Sequence, residues 1–337
     1  MVPEYIKNFQ EWCATLDKQS RFCLLVSADP DALSSAMAMR KLLRKYVQGI
    51  TICSVNNVTR PDNLAMIRYL RIPLERFSKE NMEKFTHFGV IDSQPTHNKQ
   101  FADCTFSLVI DHHPPTDFAA SLTEVNYTYI RKSLGATATI MTKFLRELHD
   151  RPGPLLATAL LYGIRSDTGA FERSGGEEDL KAYHWLYKYA NAMLLRRICR
   201  SEYLREWLPL FSRAFRSLQD CPGGGVHVSL KEVKHADLLV SIADFFTKIH
   251  GLRWVAVSGV VDRTVVVIFR GDGARDMGQM AVQCFAKLGE GGGHKNLARA
   301  EFPVSMVPEG MNSVDFVRKQ LQSFRQVRTK EKSTDKA

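Results

Sequence analysis

Short β-rich apolar runs alternate with helical patterns through the first half of the chain, and most of these runs stop on an aspartate. Phe22 to Ser27 (FCLLVS) reads as a buried strand that runs into Asp29-Pro30-Asp31 and then a helix over about Ala32 to Tyr46. Ile50 to Val55, His87 to Ile91 and Phe106 to Ile110 read as three more strands, and Asp92 and Asp111 directly follow the last two. Continuous apolar strands separated by helices predict a mostly parallel sheet covered on both faces. In such sheets ligands bind outside the carboxyl ends of the strands, so the aspartates mark where a site is expected.

Helical segments are expected from Gly135 through Leu148 and from Leu155 to about Ile164, then a loop containing Asp167, then a long helical pattern from Asp179 to about Leu218. Cys221-Pro-Gly-Gly-Gly225 is the clearest breaker, and the domain linker is placed in and just before it. Strands near Val226 to Ser229, Trp254 to Val261 and Thr264 to Arg270 then predict a smaller α/β domain. With 337 residues, two domains are expected. The division read from the chain is 1–190, a helical connector and Gly-rich linker over 191–225, a second domain over 226–324, and a basic disordered tail over 325–337.

Composition serves mainly to exclude. Hydrophobic residues at 45% and charged residues at 24% are those of a globular chain, not a disordered or fibrous one. No apolar run approaches the ~20 residues that span a bilayer, and the amino terminus has no apolar signal core. Seven cysteines without a CxxC pair suggest free thiols in a reducing compartment, hence a cytoplasmic protein. A net charge of +10 fits either an anionic partner or a merely soluble basic surface. Arg196, Arg197, Arg200, Arg205, Arg213 and Arg216 could line a groove or form a solvated helix face. No helix-turn-helix, zinc-finger or RNA-recognition signature accompanies them.

Four clusters carry the chemistry: Asp29-Pro-Asp31, Asp92-Ser-Gln-Pro95, Asp111-His112-His113-Pro-Pro and Gly163-Ile-Arg-Ser-Asp167. Taken singly, each has an ordinary explanation, since an Asp at a strand end often caps the following helix. Converging, aspartates and an imidazole suit Mn²⁺ or Mg²⁺, with histidine favouring manganese. Two such ions sharing one carboxylate could bind a phosphoryl oxygen and activate water.

These motifs, in this order, resemble those of the DHH phosphoesterase superfamily, which includes RecJ-type exonucleases, nano-RNases and pAp phosphatases, cyclic dinucleotide phosphodiesterases and family II pyrophosphatases. Gly291-Gly292-Gly293-His294, preceded by Arg270, resembles the GGGH motif of the DHH-associated substrate-binding domain, so the likeness spans about residues 20 to 310. The resemblance implies up to two metal ions in a cleft between a DHH domain and that second domain. Asp29 would belong to the first ion, Asp31, His112 and Asp167 to the second, and Asp92 would bridge. Asp111 would orient a neighbouring ligand and His113 would contact phosphate. Arg270, Gly292, Gly293 and His294 would hold a remote phosphate or terminal nucleotide.

Two positions depart from the family pattern. No histidine precedes Asp29, where Leu25 and Ser27 stand, which implies a weak first site; Arg299 replaces a glycine late in the GGGH element. The implied activity is hydrolysis of short single-stranded oligonucleotides or small phosphorylated nucleotides by a metal-activated water, with a homodimer one assembly open to the chain. The alternative is a weakly active or inactive nucleotide-binding regulatory homologue. An inorganic pyrophosphatase fits less well, because such proteins lack the Arg270 and GGGH constellation.

Overall fold

The structure, a computed structural model, describes residues 2–324 apart from 102, 115–124 and 173–174; the side chain of Lys99 is not described. The chain divides into two compact units, Met1–Glu202 and Tyr203–Ala337.

The first unit runs α1 (Glu4–Ala14), β1 (Arg21–Val26), α2 (Pro30–Leu43), β2 (Gly49–Ser54), α3 (Pro61–Leu70), β3 (Leu74–Arg76), β4 (His87–Ile91), β5 (Phe106–Asp111), β6 (Tyr127–Ile130), α4 (Thr137–Glu147), α5 (Pro154–Asp167), α6 (Glu177–Tyr187) and α7 (Ala192–Cys199). Its six strands are ordered β3-β2-β1-β4-β5-β6 and every pairing is parallel. Both faces are covered, which is why β1 is buried at five consecutive residues rather than at alternate ones. Phe22, Leu24 and Val26 join the large core under α1, α2, α4 and α5, while Cys23 and Leu25 join a smaller cluster with Phe77, Phe101 and Val109 on the opposite face.

Strand order reverses between β1 and β4. The chain leaves β1 toward β2 and β3 on one side, then returns to build β4, β5 and β6 on the other. The connections after β1 and β4 therefore splay apart at the carboxyl ends and leave a crevice. Asp29 and Asp31 follow one of these strands and Asp92 the other.

The second unit runs α8 (Leu208–Arg216), β7 (Gln219–Cys221), β8 (Gly225–Glu232), α9 (Ala236–Phe246), β9 (Trp254–Val261), β10 (Thr264–Gly271), α10 (Met277–Phe285), β11 (Glu290–Gly293), β12 (Leu297–Pro303) and α11 (Ser313–Ser323). Its sheet is ordered β11-β12-β10-β9-β8-β7. Only β8 and β9, joined through α9, run parallel; the other pairings are antiparallel. Along β10 the side chains alternate: Val265, Val267 and Phe269 face the core shared with α10 and α11, and Val266 and Ile268 face the core shared with α9.

Four sequence expectations need correction. The glycine run around Gly223 and Gly224 is not a linker but the turn of the β7–β8 hairpin, where both residues take positive φ, 77° and 74°. The units part earlier, between Glu202 and Tyr203, so the segment 191–225 is divided between them. Asp167 lies not in a loop but at the last residue of α5. The long helical pattern from Asp179 resolves into α6, α7, a 3-10 turn over Arg205–Trp207 and α8, because Asn191 caps a new helix and Pro209 starts another. The expected basic tail lies outside the described residues. Among the described residues no helix is long and apolar enough to cross a membrane.

Candidate metal centre

Asp29 stands at the N-cap of α2, where its Oδ1 accepts the Ala32 amide at 2.9 Å, so the ordinary capping role is real. Asp31, in the first turn, points inward instead. Its two oxygens accept the Thr137 and Ala138 amides, each at 2.7 Å, so it anchors the otherwise unsatisfied first turn of α4. Helix α2 also lies against α5 at Gly163, where a Cβ would run into Ser34 Oγ and stand 3.1 Å from the Pro30 carbonyl. The same close approach positions Asp167, one turn further along α5.

Asp92 follows β4 with φ of 60°, a left-handed conformation that costs a non-glycine residue of order 1 kcal/mol. Its amide donates to the Ile110 carbonyl at 2.8 Å, and its Oδ1 accepts from Thr137 Oγ1 at 2.7 Å. The bend turns the carboxylate away from the strand axis and toward His112, whose Nε2 lies 3.7 Å from Oδ1.

Asp111 is fully buried at the end of β5. Its Oδ1 accepts from the His112 amide and from His113 Nδ1, both at 2.8 Å, and its Oδ2 accepts from Gln94 Nε2 at 2.7 Å. Burial opposes its ionisation, but the hydrogen bonds from His113 and Gln94 prevail and its pKa is lowered. His112 donates from Nδ1 to the Leu134 carbonyl at 3.1 Å, which leaves Nε2 as the free ring nitrogen. That nitrogen is buried without a hydrogen-bond partner. Asp167 Oδ2 stands 3.0 Å away but off the hydrogen-bond direction.

Among the described residues two donor sets result, each with ligand atoms within 4.8 Å of one another: Asp31, His112 and Asp167, and Asp92, His112 and His113. Asp29 belongs to neither. Burial first, then neighbouring carboxylates, raise the pKa of Asp31 to about 7 and that of Asp92 well above the usual range. Burial does the same for Asp29, to about 6, with Asp167 adding to it. Burial alone would lower the pKa of His112, yet Asp167 and Asp31 raise it to about 9. His112 and His113 offset only part of the charge of carboxylates crowded this closely, so the cluster lacks sufficient positive charge, and the buried His112 Nε2 lacks a hydrogen-bond partner. A divalent cation supplies the charge and an electrophile for that nitrogen, so the donor set fits Mn²⁺ or Mg²⁺.

Several contributing residues carry no signal in the sequence motifs. Thr137 touches Asp92 and, through its amide, Asp31; only its place at the start of a helix after β6 could have flagged it. Asp179, buried, accepts from the Gly135 amide, the Gly176 amide and Thr139 Oγ1 (2.5 Å), which fixes the loop that presents the Leu134 carbonyl to His112. His97 lies beside His113, ring centroids 6.0 Å apart, with its Nδ1 accepting the Gln94 amide.

In the second unit, Arg270 ends the buried run of β10 and its Nε donates to Asp244 at 2.7 Å. Gly292 and Gly293 lie on the edge strand β11, and His294 opens the turn to β12, its amide donating to the Leu297 carbonyl. The space where a Gly292 Cβ would stand is open, whereas one at Gly293 would strike Ala298.

Residues 23–164 match the model of the DHH family, N-terminal domain. Over that segment the chain carries a DHH-family N-terminal domain. It is 30% identical over 282 residues to an uncharacterized protein of Methanocaldococcus jannaschii, covering 83% of this chain and 57% of that one. This chain thus spans little more than half the length of that relative. In fold it is similar to an exopolyphosphatase-related protein from Bacteroides fragilis, with a TM-score of 0.73 at 16% identity, covering 94% of this chain and 95% of that one. It is also similar to the exonuclease RecJ bound to manganese, with a TM-score of 0.53 at 14% identity over 96% and 94% of the two chains.

Proposed function

We propose that this protein is a metal-dependent phosphoesterase acting on short single-stranded oligonucleotides or small phosphorylated nucleotides. The observation that carries this reading is the unpartnered, buried His112 Nε2 facing Asp92 and Asp167 at the switch point of the sheet. Asp31, His112 and Asp167 would hold one ion, Asp92 would serve as the shared ligand, and Asp29 would face the weaker position. A bound Mn²⁺ or Mg²⁺ supplies Lewis-acid polarisation of a phosphoryl oxygen and a lowered pKa for water.

The chain's own residues do the rest. Asp111 fixes the His113 ring through Nδ1 and raises its pKa, so His113 is held as a charged donor whose Nε2 can bind a phosphoryl oxygen. Its half-exposed side chain leaves that nitrogen reachable by substrate. Leu134 keeps His112 in the tautomer whose Nε2 is free, and Asp179 keeps Leu134 in place. Arg270, Gly292, Gly293 and His294 are proposed to grip a phosphate or terminal nucleotide away from the scissile bond, Arg270 by exchanging Asp244 for it.

A panel of pAp, linear dinucleotides to five-mers, cyclic dinucleotides and pyrophosphate, each with Mn²⁺ and with Mg²⁺, tests the assignment. The expected outcome is hydrolysis of short linear substrates that is lost with chelator and in Asp92→Ala and His112→Ala. Activity that resists chelator, or a folded Asp92→Ala that stays active, overturns it. The alternative of a nucleotide-binding regulator draws on one observation: Asp29 joins no donor set, and Leu25 and Ser27 stand where the family has a histidine. Binding without turnover of any panel member at saturating metal favours that alternative.

A further inference from the structure

The α8 face of the second unit exposes aromatic and apolar side chains beside arginines. Phe215 is 49% exposed although three rings back it: Phe245 at 5.7 Å, Phe246 at 5.9 Å and Phe211 at 6.4 Å between centroids. These neighbours meet it at 55–60°, so none lies parallel over a face of its ring. Tyr203, 40% exposed, abuts Phe211 edge-on at 5.4 Å. On α8 itself, Leu208, Ser212, Phe215 and Arg216 share a face by their three- and four-residue spacing. Arg213 is pinned by donating to the Leu230 carbonyl at 3.3 Å. Among the described residues, Arg205 and Arg216 have no carboxylate partner.

We propose that this face binds single-stranded nucleic acid, with a base stacked on Phe215 and the adjoining phosphates met by Arg205 and Arg216. A rigidly backed aromatic that keeps half its surface in water is poorly placed as core and well placed as a stacking platform, because every base offers a π-face whatever its sequence. Unpaired arginines, Arg216 adjoining it on α8 and Arg205 in the turn before that helix, suit the phosphates of the same strand, and a chain of net charge +10 complements a polyanion. An acidic or apolar protein surface would use only half of this combination. Its residues, all in the second unit, are distinct from those of the metal centre, which lie in the first.

The test uses the full chain, a fluorescein-labelled single-stranded 10-mer as RNA and as DNA, and EDTA to stop hydrolysis, with binding read by anisotropy. Salt-sensitive binding is expected for both strands. Phe215→Leu, which keeps apolar volume but has no ring, should weaken it about tenfold, and Phe215→Trp should keep it while gaining an indole emission that the strand quenches. Arg205→Glu with Arg216→Glu should weaken binding and flatten the dependence of log affinity on log salt by roughly one or more. No strand binding by the natural chain overturns the proposal, as does unchanged affinity in Phe215→Leu and in the double variant. So does a Phe215→Leu effect confined to self-association in light scattering, or equal competition by duplex. Because metal is absent, failure of the hydrolysis reading would leave these outcomes untouched.

Discussion

Asp92 combines two demands that ordinarily conflict, a left-handed backbone and a side chain. Replacing it with glycine removes the backbone penalty of order 1 kcal/mol and a buried carboxylate that resists ionisation. Asp92→Gly should therefore melt a few degrees higher than the natural protein in metal-free buffer, at ~2–4 °C per kcal/mol for a unit of this size. The same variant should lose at least ~10²-fold in phosphoester hydrolysis, and a lower melting temperature with activity retained would contradict both halves. Asp111→Asn should act in the opposite sense. An amide has one oxygen to meet the three donors that converge on Asp111, so one is left unmet at a cost of ~1–3 kcal/mol. His113 should then titrate nearer its ordinary range, which NMR of the imidazole protons would read.

At the level of elements, the contact between α2 and α5 is set by one missing side chain. Gly163→Ala drives a Cβ into Ser34 Oγ and toward the Pro30 carbonyl, and overpacking of this kind costs ~1–3 kcal/mol. Chemical denaturation should show that loss, with a fall in activity beyond it, since the displaced helices carry Asp31 and Asp167. The main strands and α2 were legible in the sequence because both faces of this sheet are covered and its strands are therefore unbroken apolar runs, whereas α1 was not read. Shorter elements escaped: β3 has three residues, none of them buried, and Tyr127–Ile130 has only four, too few for its Tyr-Thr-Tyr alternation to stand out. The glycine run was misread because hairpin turns and linkers call for the same residue, and only the pairing of Cys221 with Gly225 tells them apart. In the site, the aspartates and histidines were visible because several acidic clusters coincide after strands and one of them is joined to an adjacent histidine pair. The backbone donors on Asp31, the Leu134 carbonyl and the Asp179 brace were not, since amide and carbonyl groups belong to every residue.

For the whole molecule, the crowded carboxylates make stability depend on pH and metal together. Asp29 and Asp31 have raised folded pKa values, about 6 and about 7, so the folded chain holds protons that the unfolded chain has already released above pH ~4. Their contribution to stability is present at low pH and is lost as pH climbs through those values. His112, raised to about 9, adds stability that is full below ~6.5 and is lost toward 9, so it acts in the same direction. Metal-free protein should therefore lose melting temperature steadily from about pH 5 to pH 9. Saturating Mn²⁺ should flatten or reverse that slope by replacing the lost protons, and Asp31→Asn should flatten it without metal. Dialysis should leave one tightly held ion per chain, with Leu25→His or Ser27→His raising activity at low metal; two stoichiometric ions in the natural protein would count against a weak first site.

Asp31 spends its two oxygens on the amides of Thr137 and Ala138, so the same carboxylate that would meet an ion also ties down the start of α4. Any charge that draws electron density from that carboxylate weakens its hold on those two N–H groups. The amide proton shifts of residues 137 and 138, more than 100 positions along the chain from Asp31, thus form a built-in spectroscopic gauge of metal occupancy that requires no substrate and no turnover.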